Sequence, residues 1–396
     1  MRAGLHKYEC LLVASAFTMA VCASAQELQG RFYPEKDKYM LGEPVLFNVD
    51  IKNVGSEAVY VYAKNPHECV DRYEFFISGP SSGCGQNWVP DCQDDPELLK
   101  PGESIHGQWE LDSWYQFERE GKYEVSATRH LPIQAIHGEF QDFTFSSKFD
   151  FRLEPPDPIR VQDILQEFER NLHSNDPEVR HSALDVLAST APAYFQNTAL
   201  TLSRDKDAFV VFHAAAALGR INTPETRAAL ADIITSRETT NEDEVIARIR
   251  ALEALGRSGD DSYLSLVSHY MDDANEHIQL IAMVAVAELG KGPVVPQIQR
   301  FLLDPNPVHR KNAAEALRFS ITPEAVEALI SAVGDKDAEV NKSALASLTQ
   351  LTGHSVSEGE ERTKTPVQLQ DAWHTWWRNN KTKVGFAELE FLCHMK

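Results

Sequence analysis

Residues able to do chemistry are sparse in this chain, and their spacing decides what they could do. Cysteines stand at Cys69, Cys84, Cys92 and Cys393, after two more near the start. Thiols in that number close disulfides in an oxidising compartment or, with histidine, hold zinc. No CxxC occurs, and His67, His106, His130 and His137 are scattered at no metal spacing, so they read as surface residues. Cys84 and Cys92 bracket a short loop containing Gly and Pro and are the preferred disulfide pair, which leaves Cys69 free or joined to Cys393. The other conspicuous stretch is "AWHTWWRNN" (372–380), with Trp373, Trp376 and Trp377 around His374. Such a cluster serves as a sugar platform, as an aromatic cage, or as a hydrophobic plug.

The motifs of common catalysts are missing from the sequence. There is no Gly-rich phosphate loop, no HExxH and no G-x-S-x-G elbow. No carboxylate pair stands out from an acidic background, so no catalytic, cofactor-binding or metal-binding residue is assigned and no enzyme activity is expected. The chain has 396 residues and a formal net charge of −21. So acidic a surface repels phosphate backbones, and nucleic acid is not an expected partner.

The elements that hold these residues can be read in order. Arg2 and Lys7 precede an apolar run from Leu11 to Val21, followed by Ala23-Ser24-Ala25. That order makes residues 1–25 a secretory signal peptide with cleavage before Gln26. Loss of Arg2, Lys7 and Glu9 takes the charge from −21 to −22. The run is too short to span a bilayer and no later one is long enough. The expectation is an exported protein, periplasmic or secreted, not inserted in a membrane.

Residues 26–157 alternate with period two. "PVLFNVDIKN" places Val45, Phe47, Val49 and Ile51 on one face, and "KYEVSATR" groups Tyr123, Val125 and Ala127. "DFTFSSKFDFRL" carries Phe143, Phe145, Phe149, Phe151 and Leu153 in the same rhythm. Turn signals such as Leu41-Gly42-Glu43-Pro44 separate the runs, which predicts short antiparallel strands in two sheets. "LGEPVLFNVDIKNVGSEAVYV", "PGES" and "REGKYEVSAT" resemble strands of immunoglobulin-like modules in bacterial exported proteins. The resemblance implies a β-sandwich with a tyrosine corner at Tyr123, and names no ligand.

After "EPPDP" the period becomes helical. Six segments align on Leu187, Leu218, Leu255, Leu289, Leu317 and Leu348, in steps of 31, 37, 34, 28 and 31 residues. Four positions before each stands alanine: Ala183, Ala214, Ala251, Ala285, Ala313 and Ala344. Three before stand Leu184, Ala215, Leu252, Val286, Ala314 and Leu345. These offsets make one helical stripe, and small residues on it let neighbouring helices approach closely. Other helices lie between, two of them opening with Thr-Pro-Glu, so each unit is a helix pair that must stack on its neighbours.

"NDPEVRHSALDVLA" and its equivalents resemble HEAT repeats of the short kind named after phycobilisome lyases. The resemblance implies an α-solenoid over residues 158–353. It also implies that Asp176 with Arg180, Glu244 with Arg248 and Asn306 with Arg310 bridge repeats as a ladder, interrupted at Val211 and Asn341 and around Leu289, whose turn "DDANEH" is irregular. Chromophore attachment is not expected, because no residue set would carry it and the chain is read as exported.

Residues 354–396 supply an acidic loop, a Trp-rich helix and a tail. Thr365, Pro366 and Gln368 start that helix, and Leu369, Trp373, Trp376 and Trp377 share one face. The plug reading is preferred: a lid on the last repeat, with His374 in solvent. The fold class is thus multidomain, an all-β immunoglobulin-like sandwich followed by an all-α HEAT-repeat solenoid.

Function is then expected from a groove. In such arrays the anchor helices line the concave side, and offsets −6, −5 and −2 from each leucine face into it. They carry His181, Asp185, Phe212, Arg250, Glu253, Lys311, Glu315 and Lys342, a mixed-charge row suited to a protein partner. Two alternatives stay open: a ligand-binding or protease-inhibitor-like module centred on the sandwich, and an enzyme with an unrecognised site in the groove.

Overall fold

The computed structural model describes residues 28–62, 72–80, 96–113, 115, 117, 119–136, 140–237, 241–355 and 364–386. All six cysteines, and with them the Cys84–Cys92 pairing and the leader, fall outside the described residues.

Alternating apolar residues build the N-terminal β region. Its strands are β1 (Leu28–Pro34), β2 (Lys38–Met40), β3 (Leu46–Asn53), β4 (Val59–Val61), β5 (Arg72–Ser78), β6 (Glu97–Leu99), β7 (Ser104–Glu110), β8 (Gly121–Ala135) and β9 (Phe140–Glu154). One sheet has the order β1-β3-β7 and the other β2-β9-β8-β4-β6, with β5 also on β8. The second sheet is mixed: β2 runs parallel to β9, where only antiparallel pairing was expected. Three residues are too few to show a period, so the sequence gives β2 no signature. The inward set is as the alternation placed it, with Phe47, Ile51, Tyr123 and Phe151 buried in one core that both sheets share. Tyr123 ties its corner by donating its hydroxyl to the Arg119 carbonyl at 2.7 Å.

A helical array follows, its units paired as α1 (Pro158–Leu172) with α2 (Pro177–Thr190), α3 (Gln196–Leu202) with α4 (Ala208–Ile221), and α5 (Pro224–Ser236) with α6 (Glu242–Gly256). Then come α7 (Leu264–His269) with α8 (Glu276–Gly290), α9 (Val295–Gln299) with α10 (Pro307–Leu317), and α11 (Pro323–Val333) with α12 (Ala338–Thr352). The last described helix is α13 (Pro366–Asn380). Asp or Asn caps most second helices; Asp176, Asp207, Asn275, Asn306 and Asp337 each accept from a main-chain N–H of the first turn. All six register alanines and six anchor leucines are buried in a single core running the length of the array. Each second helix packs against the next along the array, so the second helices share one face of it.

Close approach explains the glycines that follow three of the anchors. A Cβ on Gly256 would lie 2.7 Å from the Ala285 backbone, and one on Gly219 would lie 2.6 Å from the Ala254 Cβ.

The tryptophan helix closes the far end. Leu369, Trp373 and Trp377 are buried, while Trp376 is half-buried and stacks on His354 at 4.2 Å. Gln370 donates to the carbonyls of Ile330 and Ser331, which ties α13 to α11. Thr365 and Gln368 form the reciprocal cap, and His374 is exposed.

Candidate protein-binding surface

The predicted row is assembled from five of the six second helices, one or two residues from each, with none on α8. His181 on α2 is exposed and its ring lies 4.7 Å from that of Phe209 on α4. Phe209 itself is 38% exposed, an apolar ring left in solvent beside a histidine. Asp185 points outward, with Oδ1 3.1 Å from Nε2 of the buried His213. His213 is in turn held at Nδ1 by the Phe209 carbonyl. On the next step Phe212 lies under the Arg250 guanidinium at 4.7 Å, and Arg250 pairs with Glu253 at 2.9 Å. Farther along, Lys311 reaches Glu315 at 3.5 Å, the Ser343 hydroxyl lies 3.2 Å from the same carboxylate, and Lys342 is exposed.

The row therefore divides in two. Arg250, Glu253, Lys311 and Glu315 satisfy one another within their own helices, which leaves less charge for a partner. His181, Asp185, Phe209 and Lys342 project from the surface. Phe209 and His213 were not singled out from sequence; Phe209 stands nine positions before its anchor leucine, about one turn beyond the offsets considered.

The ladder residues act mainly inside each unit. Asp176 and Asn306 are helix caps. Arg180 donates to the Ser174 carbonyl, Arg248 to that of Arg237, and Arg310 to that of Asp304. Each clamps the start of a second helix to the turn before it. Asn341, where the ladder was expected to be interrupted, does the same by donating to the Val333 carbonyl. Glu244 pairs with Arg237 rather than with Arg248. Bridges between units come from Arg310 to Asp335, at 2.7 and 3.0 Å, and from Arg237 to the Asp205 carbonyl at 3.0 Å.

At its first end the groove meets the β region. Ser189, one turn after Asp185, donates to Glu110 at 2.6 Å, and Arg220 at the end of α4 donates to the Asp112 carbonyl at 3.4 Å. On the outer side Arg160 pairs with Glu43 at 2.5 Å and the Tyr194 hydroxyl donates to the Gly42 carbonyl at 2.8 Å. Gly42 has φ +86 and would drive a Cβ to 2.2 Å from Pro192, so this seam needs glycine there. No group of three metal-ligating side chains occurs among the described residues, and no helix among them is long and apolar enough to cross a membrane.

With that geometry in view, the helical region carries HEAT repeats: the family model of that description matches residues 165–246 and 295–359. Solved structures similar to the chain include the complex of CpcE and CpcF of phycocyanin lyase from Nostoc sp. PCC7120. It is 20% identical, with 55% of this chain and 83% of that one covered at a TM-score of 0.34. Human deoxyhypusine hydroxylase in complex with glycerol is 21% identical over 49% of this chain and 75% of that one, at a TM-score of 0.30. An engineered protein is 20% identical over 48% of this chain and 96% of that one, at a TM-score of 0.31. No curated protein matches the sequence.

Proposed function

We propose that this chain is an exported, non-enzymatic interaction protein whose HEAT solenoid takes a protein partner on its concave face, behind an immunoglobulin-like β module. The observation that carries the reading is the exposed Phe209 ring beside His181 and Asp185, an aromatic anchor with polar neighbours on the inner wall of the groove. Interfaces concentrate their energy on such aromatic residues in partly enclosed settings. HEAT repeats favour protein partners because stacked units make one long continuous surface. The Tyr123 corner supports the immunoglobulin-like reading of the β region. The order basic, apolar, Ala-Ser-Ala at the start supports export.

A second reading places binding on the β region. Leu98, Tyr60, Gln134 and Phe140 stand in one cross-strand row on the outer face of the larger sheet, and Leu98 and Phe140 are exposed. One capture experiment separates the two. The partner retained from cell-envelope extract by the full chain should be weakened by Phe209→Ala and by joint charge reversal at Lys311 and Lys342. The variants should keep the wild-type circular dichroism spectrum. Unchanged capture removes the groove from consideration, and capture by residues 26–157 alone moves the site to the β region.

A further inference from the structure

The seam between the β region and the solenoid holds two acids that the proposed function does not use. Strand β7 ends at Glu110, and the tight turn Leu111–Ser113 that follows seats against α2. Asp112 in that turn is enclosed, with Oδ2 accepting from the Val45 N–H at 2.6 Å. Glu110 accepts from the Ser189 hydroxyl. One cation faces the pair, Arg220, and its hydrogen bond goes to the Asp112 main-chain carbonyl rather than to either carboxylate. Among the described residues no Lys, Arg or His approaches either carboxylate within ion-pair distance.

Other charges near the seam offer the acids little relief. Asp185 on α2 faces Glu110 and adds negative charge. Arg250 and Arg257 on the α6 side face Arg220 and oppose its charge. Tyr194 faces Asp112 and Glu43, but its hydroxyl is spent on Gly42. Glu43 is already matched by Lys36 and Arg160. Closing the seam on two ionised carboxylates therefore costs desolvation that nothing adjacent repays in full.

We propose that this seam is a proton-dependent lock, closed while Glu110 and Asp112 hold their protons and loosened when they ionise. Burial, with Glu110 close by, pushes the Asp112 carboxyl up from 3.8 to about 7, and burial raises Glu110 in the same direction. An acid raised in the closed state binds more protons closed than open. Its contribution is therefore whole below the ordinary value of 3.8, declines as pH rises, and is gone once pH passes about 7. Loosening would bare Ser189 and Arg220 at the first end of the groove, whatever that groove binds.

Amide hydrogen exchange of the full chain at pH 5 and pH 8, corrected for intrinsic rates, tests this. Segments 41–46, 108–113 and 186–195 should lose protection at the higher pH by at least about ten-fold, while α8 keeps its own. Asp112→Asn should abolish that difference, and Glu110→Gln should reduce it should the first variant fold poorly. Equal protection of the seam at both values, a loss spread evenly through the solenoid, or a difference that survives in the folded Asp112→Asn chain would overturn the lock.

Discussion

Asp335 and Asp112 each face an arginine, yet their titrations are shifted in opposite directions. Burial works to raise Asp335, but hydrogen bonds from Arg310 and the Asp337 amide, with the Arg310 charge, outweigh it and hold the carboxyl below its usual 3.8. Arg220 bonds to the Asp112 main-chain carbonyl and not to its carboxylate, and burial wins. The bridge from α10 to the turn before α12 should therefore weaken only on acidification, when pH falls through the depressed value, whereas the seam weakens on the alkaline side. Replacing Arg310 by Ala strands Asp335 and the carbonyls of Asp304 and Pro305 in a half-buried turn. It should cost about 1–3 kcal/mol in urea denaturation at pH 7, with a smaller difference from wild type near pH 3. A loss that is the same at both values would show that packing of the arginine stem, not its pairing, matters. The arginines of this series were legible in the sequence as a repeated offset, but their acceptors were not. Arg180 and Arg248 bond to carbonyls, which every residue carries and no pattern marks.

At the scale of the element, the register of six alanines marked the second helices because packing demands a small residue every time the seam recurs. Gly256 extends the same demand to its limit, since Ala285 leaves no room for one more carbon. Gly256→Ala, a change that favours an isolated helix by up to about 1 kcal/mol, should here destabilise by about 1–3 kcal/mol. Chemical denaturation decides it, and a gain in stability would mean that α6 and α8 can slide apart freely. First helices were harder to read. α7 and α9 span six and five residues and are flanked by 3-10 turns, too short for a 3.6-residue period to declare itself. Strand β2 escaped for the same reason, while β3, β8 and β9 were plain because half-buried strands of that length must alternate.

Over the whole molecule there are two hydrophobic cores and a polar seam between them. In a stacked array each unit is held by its neighbours, so stability is greatest where a unit has one on both sides. The far end relies on Trp373, buried against α11 and beside His354. Trp373→Ala should cost roughly 3–5 kcal/mol, and hydrogen exchange should show α11 and α12 opening first while α4 to α8 stay protected. Uniform loosening would mean that the array unfolds as one block and that α13 is no separate lid. The sequence alone determined the order of architectures, the stacking seam and the closing helix, because periodicity and capping are local and need only a few turns of chain to be expressed. It could not show which distant groups meet. Glu110 finds Ser189 79 residues away and Asp112 finds Arg220 108 residues away, contacts that exist only once the β region has docked on the helical array. Burial at that docking, not residue type, is what pushes the carboxyl of an ordinary aspartate up.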